Sequence, residues 1–277
     1  MKKISTATTE TEYVLGTDRD ELWRLGLQHQ LWAEQTARAW ERAGFALGQH
    51  ILDLGCGPGY ATFDLANRVG AAGKVFAVDQ SQRFLGYLRS QIQARGVTNI
   101  FPSLGDVERL DLPARTLHGA YARWVLCFVK RPATVIYGVA RSLRRGGVFV
   151  IHDYYNYEAI LVAPQCAIFK KVFHLIAESW RLHGGNPDVG CDVPGLLRRG
   201  GFEVKEVNAL VRAARPGSTL WNWPDSFFKI YLPTLVEMKL ITGSEKKSFL
   251  REWAKRSRDP AAFFTTPPML EIIAVKK

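Results

Sequence analysis

The run Ile51-Leu52-Asp53-Leu54-Gly55-Cys56-Gly57-Pro58-Gly59 constrains the fold most. Its apolar half reads as a central parallel strand, and its glycines supply an unusual φ, or a close approach that a Cβ would block. From Tyr60 the apolar residues Ala61, Phe63, Leu65, Ala66 and Val69 recur at helical spacing, so the positive end of a helix faces the same loop. Strand, glycine loop and helix in that order build a ligand site at the carboxyl edge of a parallel α/β sheet. Taken alone, the loop also fits a dinucleotide site or a plain tight turn.

The spacing separates these cases. Dinucleotide folds use G-x-G-x-x-G, whereas this chain reads G-x-G-x-G with Asp53 two places before the first glycine. A carboxylate there repels a pyrophosphate and attracts an ammonium group. Lys74-Val75-Phe76-Ala77-Val78-Asp79 reads as a second strand ending in an acid placed for both hydroxyls of a ribose. Two acids without a phosphate site favour S-adenosylmethionine (SAM), which carries an ammonium, a carboxylate, a sulfonium and a ribose.

In these motifs the chain resembles the class I SAM-dependent methyltransferases, and within them the group of ubiquinone and menaquinone C-methyltransferases and small-molecule methyltransferases. By that resemblance Asp53, Gly55, Cys56, Gly57, Pro58 and Gly59 form the first cofactor motif, and Asp79, Gln80 and Ser81 the ribose motif. Phe84 takes the place of the apolar side chain against the adenine, and Gly105, Asp106 and Val107, after a strand at 99–103, that of the segment reading the adenine edge. The stretch from His118 to Leu126 fits a fourth strand and the loop beneath the sulfonium. Arg123 in it either binds the methionine carboxylate or a substrate acid, or pairs with a nearby surface acid. Leu143-Arg144-Arg145-Gly146-Gly147 resembles the family's L-x-P-G-G turn into a fifth strand, with Arg145 where the proline usually stands. The resemblance implies an α/β fold: a Rossmann-like, seven-stranded, mostly parallel sheet with helices on both faces. It also implies SAM as cofactor, S-adenosylhomocysteine (SAH) as product, and no metal.

Length and composition agree. A chain of 277 residues, 47% of them hydrophobic, can bury one large core with modest helical insertions. No run approaches the roughly 18 apolar residues of a membrane span, and the stretch from Met1 to Thr9 lacks a secretory apolar core. The expectation is a cytoplasmic protein. Cys56, Cys127, Cys166 and Cys191 lie far apart without metal-ligand spacing and read as reduced thiols. A formal charge of +11 raises nucleic acid as a partner. Against it, Ala122-Arg123-Trp124-Val125 stands where amino-directed nucleic-acid methyltransferases carry N/D-P-P-Y/F, and the basic residues from Lys246 to Arg258 read as a solvated helix face. Methyl transfer to an O, N or C atom of a small, partly hydrophobic or aromatic acceptor is the favoured reading, with an RNA or protein methyltransferase as the alternative. A nicotinamide oxidoreductase is the further alternative, and a module that holds SAM without transferring methyl a more remote one.

Residues 1–46 are read as an N-terminal helical lid over the cofactor, with Tyr13, Gln28, His29 and Trp32 as candidate lid residues, although Trp32 equally suits a core and His29 equally suits a solvent-facing position. Residues 47–277 form the catalytic domain, interrupted by helical insertions at about 155–192 and 213–268. Val193 to Arg199 reads as the last sheet helix, 202–207 as the sixth strand and 269–275 as the terminal one. The insertions fall over the carboxyl edge of the sheet, where Trp221, Trp223, Phe227 and Phe228 either roof a pocket for a planar apolar substrate or make a second small core. His152, Asp153, Tyr154 and Tyr155 follow the fifth strand. They either serve the transferred methyl, as proton acceptors and positioning groups, or simply close the strand and its turn.

Overall fold

The computed structural model describes residues 19–277; Tyr13 and the first 18 positions of the lid segment lie outside the described residues. Helix α1 (Arg19–Arg42) leads into β1 (His50–Leu54), α2 (Tyr60–Val69), β2 (Lys74–Asp79), α3 (Gln82–Arg95), β3 (Ile100–Leu104), β4 (Leu117–Arg123), α4 (Pro132–Ser142) and β5 (Leu143–Tyr154). Then come β6 (Leu161–Ala163), α5 (Ala167–Leu182), α6 (Val193–Arg199), β7 (Phe202–Leu210), β8 (Ala213–Ala214), α7 (Asn222–Glu237), α8 (Gly243–Arg256), β9 (Phe263–Thr265) and β10 (Met269–Lys276).

Seven strands make one sheet in the order β3-β2-β1-β4-β5-β10-β7. Neighbours from β3 to β5 pair in parallel, and β10 alone runs antiparallel to both β5 and β7. The strand order reverses between β1 and β4, so both carboxyl ends open onto the crevice where such sheets bind ligands. Alternation along each strand sends side chains to opposite faces. Ile51, Tyr121 and Val150 pack with α1, α2 and α3 on one face, while Leu52, Ala122 and Ile151 pack with α4, α5 and α6 on the other.

The two insertions are not separate appendages. β6 from the first and β8 and β9 from the second form a three-stranded antiparallel sheet, and α5, α7 and α8 pack on one another through Phe173, Phe228 and Phe249. α8 starts with a reciprocal cap: the Thr242 hydroxyl accepts from the Glu245 amide, and Glu245 accepts from the Thr242 amide.

Candidate active site

The glycine loop joins β1 to α2. Gly57 has φ +54° with open space where a Cβ would stand, and Gly59 has φ +90° with its Cβ position only 2.3 Å from Leu88 Cδ1. One glycine therefore keeps a cleft open and the other lets the loop lie on α3. The Gly57 amide donates to Asp79 Oδ2 at 2.7 Å and the Ser81 amide to Oδ1 at 2.8 Å, which fixes the acid at the tip of β2. Burial raises the Asp79 pKa, opposed by those amides. Each oxygen keeps a further lone pair for a hydroxyl donor. Ser81 also caps α3, its hydroxyl accepting from the Phe84 amide at 3.2 Å, and Phe84 is buried beside it while Gln80 is exposed.

Asp53 is buried in β1, where its Oδ2 accepts from Thr62 Oγ at 2.6 Å. Burial pushes its pKa up to about 7, against the Thr62 hydrogen bond and the nearby Arg123 charge. Cys56 and Pro58 are buried in the loop, and burial drives the Cys56 thiol well up, which makes it a packing group. Gly105, Asp106 and Val107 follow β3; Asp106 is exposed and its Oδ1 accepts from the Glu108 amide at 2.8 Å. The glycine loop, Asp79 and Asp106 thus share the carboxyl edge of β1, β2 and β3.

α1 closes over this edge. Tyr60, the first residue of α2, donates its hydroxyl to the Leu22 carbonyl at 2.9 Å and lies against Gly26. His29 sits between Asp64 (3.0 Å from Nε2) and Arg123 (3.1 Å from Nδ1). Trp32 is buried, edge to face with both Trp124 and Trp223, so it packs α1 onto the insertion. Gln28 Oε1 accepts from Trp223 Nε1 at 2.8 Å and from Arg24 at 2.7 Å, and Arg24 is held bidentately by buried Glu21. Arg123 meets no carboxylate within ion-pair distance among the described residues. It donates to Thr36 at 3.2 Å and lies over the Trp124 ring.

Beside the carboxyl ends of β4 and β5 lies a cleft, partly open to solvent, walled by α1, the post-strand segments and α7. Gln28, Trp124, Tyr154, Tyr157, Trp180 and Trp223 line it, with Arg24 at one side. Trp124, at φ +52°, stacks on Tyr154 with ring centroids 5.9 Å apart.

His152 and Asp153 are not in this wall. His152 faces the α1 side of the sheet, 1% exposed, with Nε2 3.1 Å from Glu271 and Nδ1 3.3 Å from the Tyr121 hydroxyl. Burial lowers its pKa despite Glu271, while His152, Asn208 and Arg42 hold Glu271 below the usual carboxylate range in spite of burial. Neutral His152 therefore donates to an ionised Glu271 and accepts from Tyr121. Asp153 points the opposite way and accepts from the amides of Leu126, Cys127 and Tyr154, closing the loop after β4; burial raises its pKa to about 6. Tyr155 is half-buried and its amide donates to the Pro268 carbonyl. His152, Asp153 and Tyr154 lie within β5, which runs three residues beyond the strand end read from sequence; of the four candidates only Tyr154 reaches the cleft. Arg24 and Tyr157 are wall residues that motif reading passes over. For Arg24 the available signal was the Glu21, Arg24, Gln28 spacing along one helical face.

The sheet order, the reversed terminal strand and the acid-tipped cleft define the class I methyltransferase fold. Residues 51–147 match the model of the methyltransferase domain family. It is 30% identical over 148 residues to a demethylmenaquinone methyltransferase of Lactococcus lactis, an alignment covering 53% of this chain and 55% of that protein. The chain spans about half the length of the curated relatives it matches. Among solved structures, a geranyl diphosphate C-methyltransferase of Streptomyces coelicolor, in complex with SAH, superposes with a TM-score of 0.57 at 14% identity, covering 90% of this chain and 77% of that one. The [4+2]-cyclase SpnF superposes equally well, with a TM-score of 0.57 at 18% identity over 88% of this chain and 80% of that one, so the likeness speaks for the fold alone. Among the described residues no helix is long and apolar enough to cross a membrane, and no cluster of metal-binding side chains occurs.

Proposed function

We propose that this chain is a SAM-dependent methyltransferase acting on a small, planar, largely apolar acceptor. The observation that carries the reading is the pairing of an acid-tipped adenosyl cleft with an aromatic cleft beside it. Asp79 is suited to both ribose hydroxyls. Phe84 and the Gly105-Asp106-Val107 segment suit the adenine, and the open space at Gly57 suits the amino-acid end. Asp53 and Arg123 offer an acid and a cation for the ammonium and carboxylate. Bound SAM supplies a methyl group on a sulfonium already activated for attack.

The chain's own part is to orient the acceptor and exclude water. α1 covers the cofactor edge through Tyr60 and His29, Gln28 ties α1 to Trp223 at the neighbouring cleft, and the stacked rings of Trp124 and Tyr154 present a flat wall to a planar acceptor. The buried roles of His152 and Asp153 favour support over proton transfer, and Tyr154 is the group we place against the acceptor. No residue of the proposed reaction requires a metal. The relatives named for menaquinone methylation support an acceptor of this kind, and a cytoplasmic setting is consistent with it.

A macromolecular acceptor is the weaker reading, since the cleft wall is aromatic rather than basic. Incubating purified protein with methyl-labelled SAM and a metabolite extract tests the proposal. Label in a low-molecular-weight aromatic product supports it; label only in RNA or protein, with rates that collapse at high salt, contradicts it.

A further inference from the structure

Among the described residues the cleft wall contains no aspartate, glutamate, histidine or lysine. Arg24 is its charged member. Tyr154 and Tyr157 meet edge to face at 5.2 Å between ring centroids, and both pack on Trp180. Neither hydroxyl bonds to another described residue, and both tyrosines line the cleft. Other buried tyrosines behave differently: the Tyr231 hydroxyl meets Ser179 at 2.7 Å and the Tyr121 hydroxyl meets His152. Buried polar groups in folded proteins are nearly always bonded to protein, water or ligand, so two donors side by side in an aromatic wall suit a ligand oxygen. Burial drives both hydroxyls' pKa well up, with Arg24 acting the other way on each, so they remain protonated and donate.

Among the described residues the wall offers no base, which suits an acceptor that needs none. A neutral alcohol or phenol needs a proton acceptor within hydrogen-bond reach as it is methylated. An acidic enol or phenol has already given its proton to water.

We propose that the acceptor binds as the anion of an acidic enol or phenol on a planar ring system, its oxygen held by hydrogen bonds from Tyr154 and Tyr157 on the Arg24 side of the cleft. This rests on reading the cleft as the acceptor site. Hydrogen bonds to a charged oxygen are stronger and shorter than those to a neutral one, so the two hydroxyls select the ionised form.

The test is binding, read by quenching of the tryptophans that line the cleft. The probes are 2-hydroxy-1,4-naphthoquinone, an enol ionised at neutral pH, and 2-methoxy-1,4-naphthoquinone, which has the same rings and no acidic proton. The hydroxy compound is expected to bind roughly tenfold more tightly, and Tyr154→Phe and Tyr157→Phe each to remove roughly three- to tenfold of its affinity while leaving the methoxy compound unchanged. Equal affinities in the wild-type protein, or no binding of either probe, overturn the anion site whatever the variants do. SAH is titrated separately. Failure to bind SAH counts against the methyltransferase reading, and the naphthoquinone comparison alone decides the anion site.

Discussion

The Gly57 amide donates to Asp79 Oδ2 at 2.7 Å, tying the glycine loop to the tip of the second strand through one carboxylate. The acid thus serves the fold as well as the proposed cofactor site, because the Ser81 amide occupies its other oxygen. Asp79→Ala is expected to weaken SAH binding by about 2 to 4 kcal/mol and unfolding stability by about 1 to 3 kcal/mol, since two amides lose their acceptor. Calorimetry and urea unfolding measure the two effects separately. Unchanged SAH affinity rules out the ribose role.

The two loop glycines should fail differently when replaced. Gly59→Ala places a Cβ 2.3 Å from Leu88 Cδ1 at φ +90°, and large destabilisation is the expected result. Gly57→Ala meets no atom within 4 Å. It carries only the left-handed backbone cost of about 1 to 2 kcal/mol, while its methyl intrudes on the cleft. Thermal melts should rank Gly59→Ala far below Gly57→Ala, and calorimetry should show the latter still folded with reduced SAH affinity. The opposite ranking contradicts the placement of the cleft.

Asp53 carries a pKa raised to about 7 by burial, with Thr62 and Arg123 opposing. A cationic amino group arriving beside it lowers that pKa, so SAH binding near pH 7 should release up to about half a proton. Titrations in buffers of different ionisation enthalpy read the release directly. Asp53→Asn should abolish the buffer dependence; its persistence in that variant assigns the proton to another group.

His152 and Glu271 form a buried pair, and the His152 pKa is lowered by burial. A histidine with a depressed folded pKa contributes fully above the unfolded value of about 6.5 and loses stability as pH falls from there toward the folded pKa. The stability advantage of wild type over His152→Gln should therefore shrink between pH 7 and pH 5, by at most about 1.4 kcal/mol per pH unit. SAH affinity at pH 7.5 should hardly change in the variant. A variant that folds normally yet loses methyl transfer alone returns His152 to a catalytic role.

The strand ends and loops of the candidate cofactor side were legible as structure because each motif combines a strand end with residues of fixed conformational or charge demand. Asp79 needs only β2 and Ser81; Gly57 and Gly59 need only their φ values. The helix at 193–199 and its glycine stop were legible on the same local terms. The tie between the insertions was not. β8 has two residues and pairs with β9 some 50 positions later, too short for any period to show. Nor could adjacency tell that His152 and Asp153 point to opposite faces and find Glu271 and the loop amides as partners. Pleating dictates the divergence, but the partners come from long-range pairing.

The account stands on what the acid-tipped cleft holds. Calorimetric titration of the purified protein with SAH, beside a parallel titration with NADH, tests it most directly. The account predicts one-to-one binding of SAH that Asp79→Ala weakens, and no heat from NADH. Binding of NADH with silence toward SAH would contradict it.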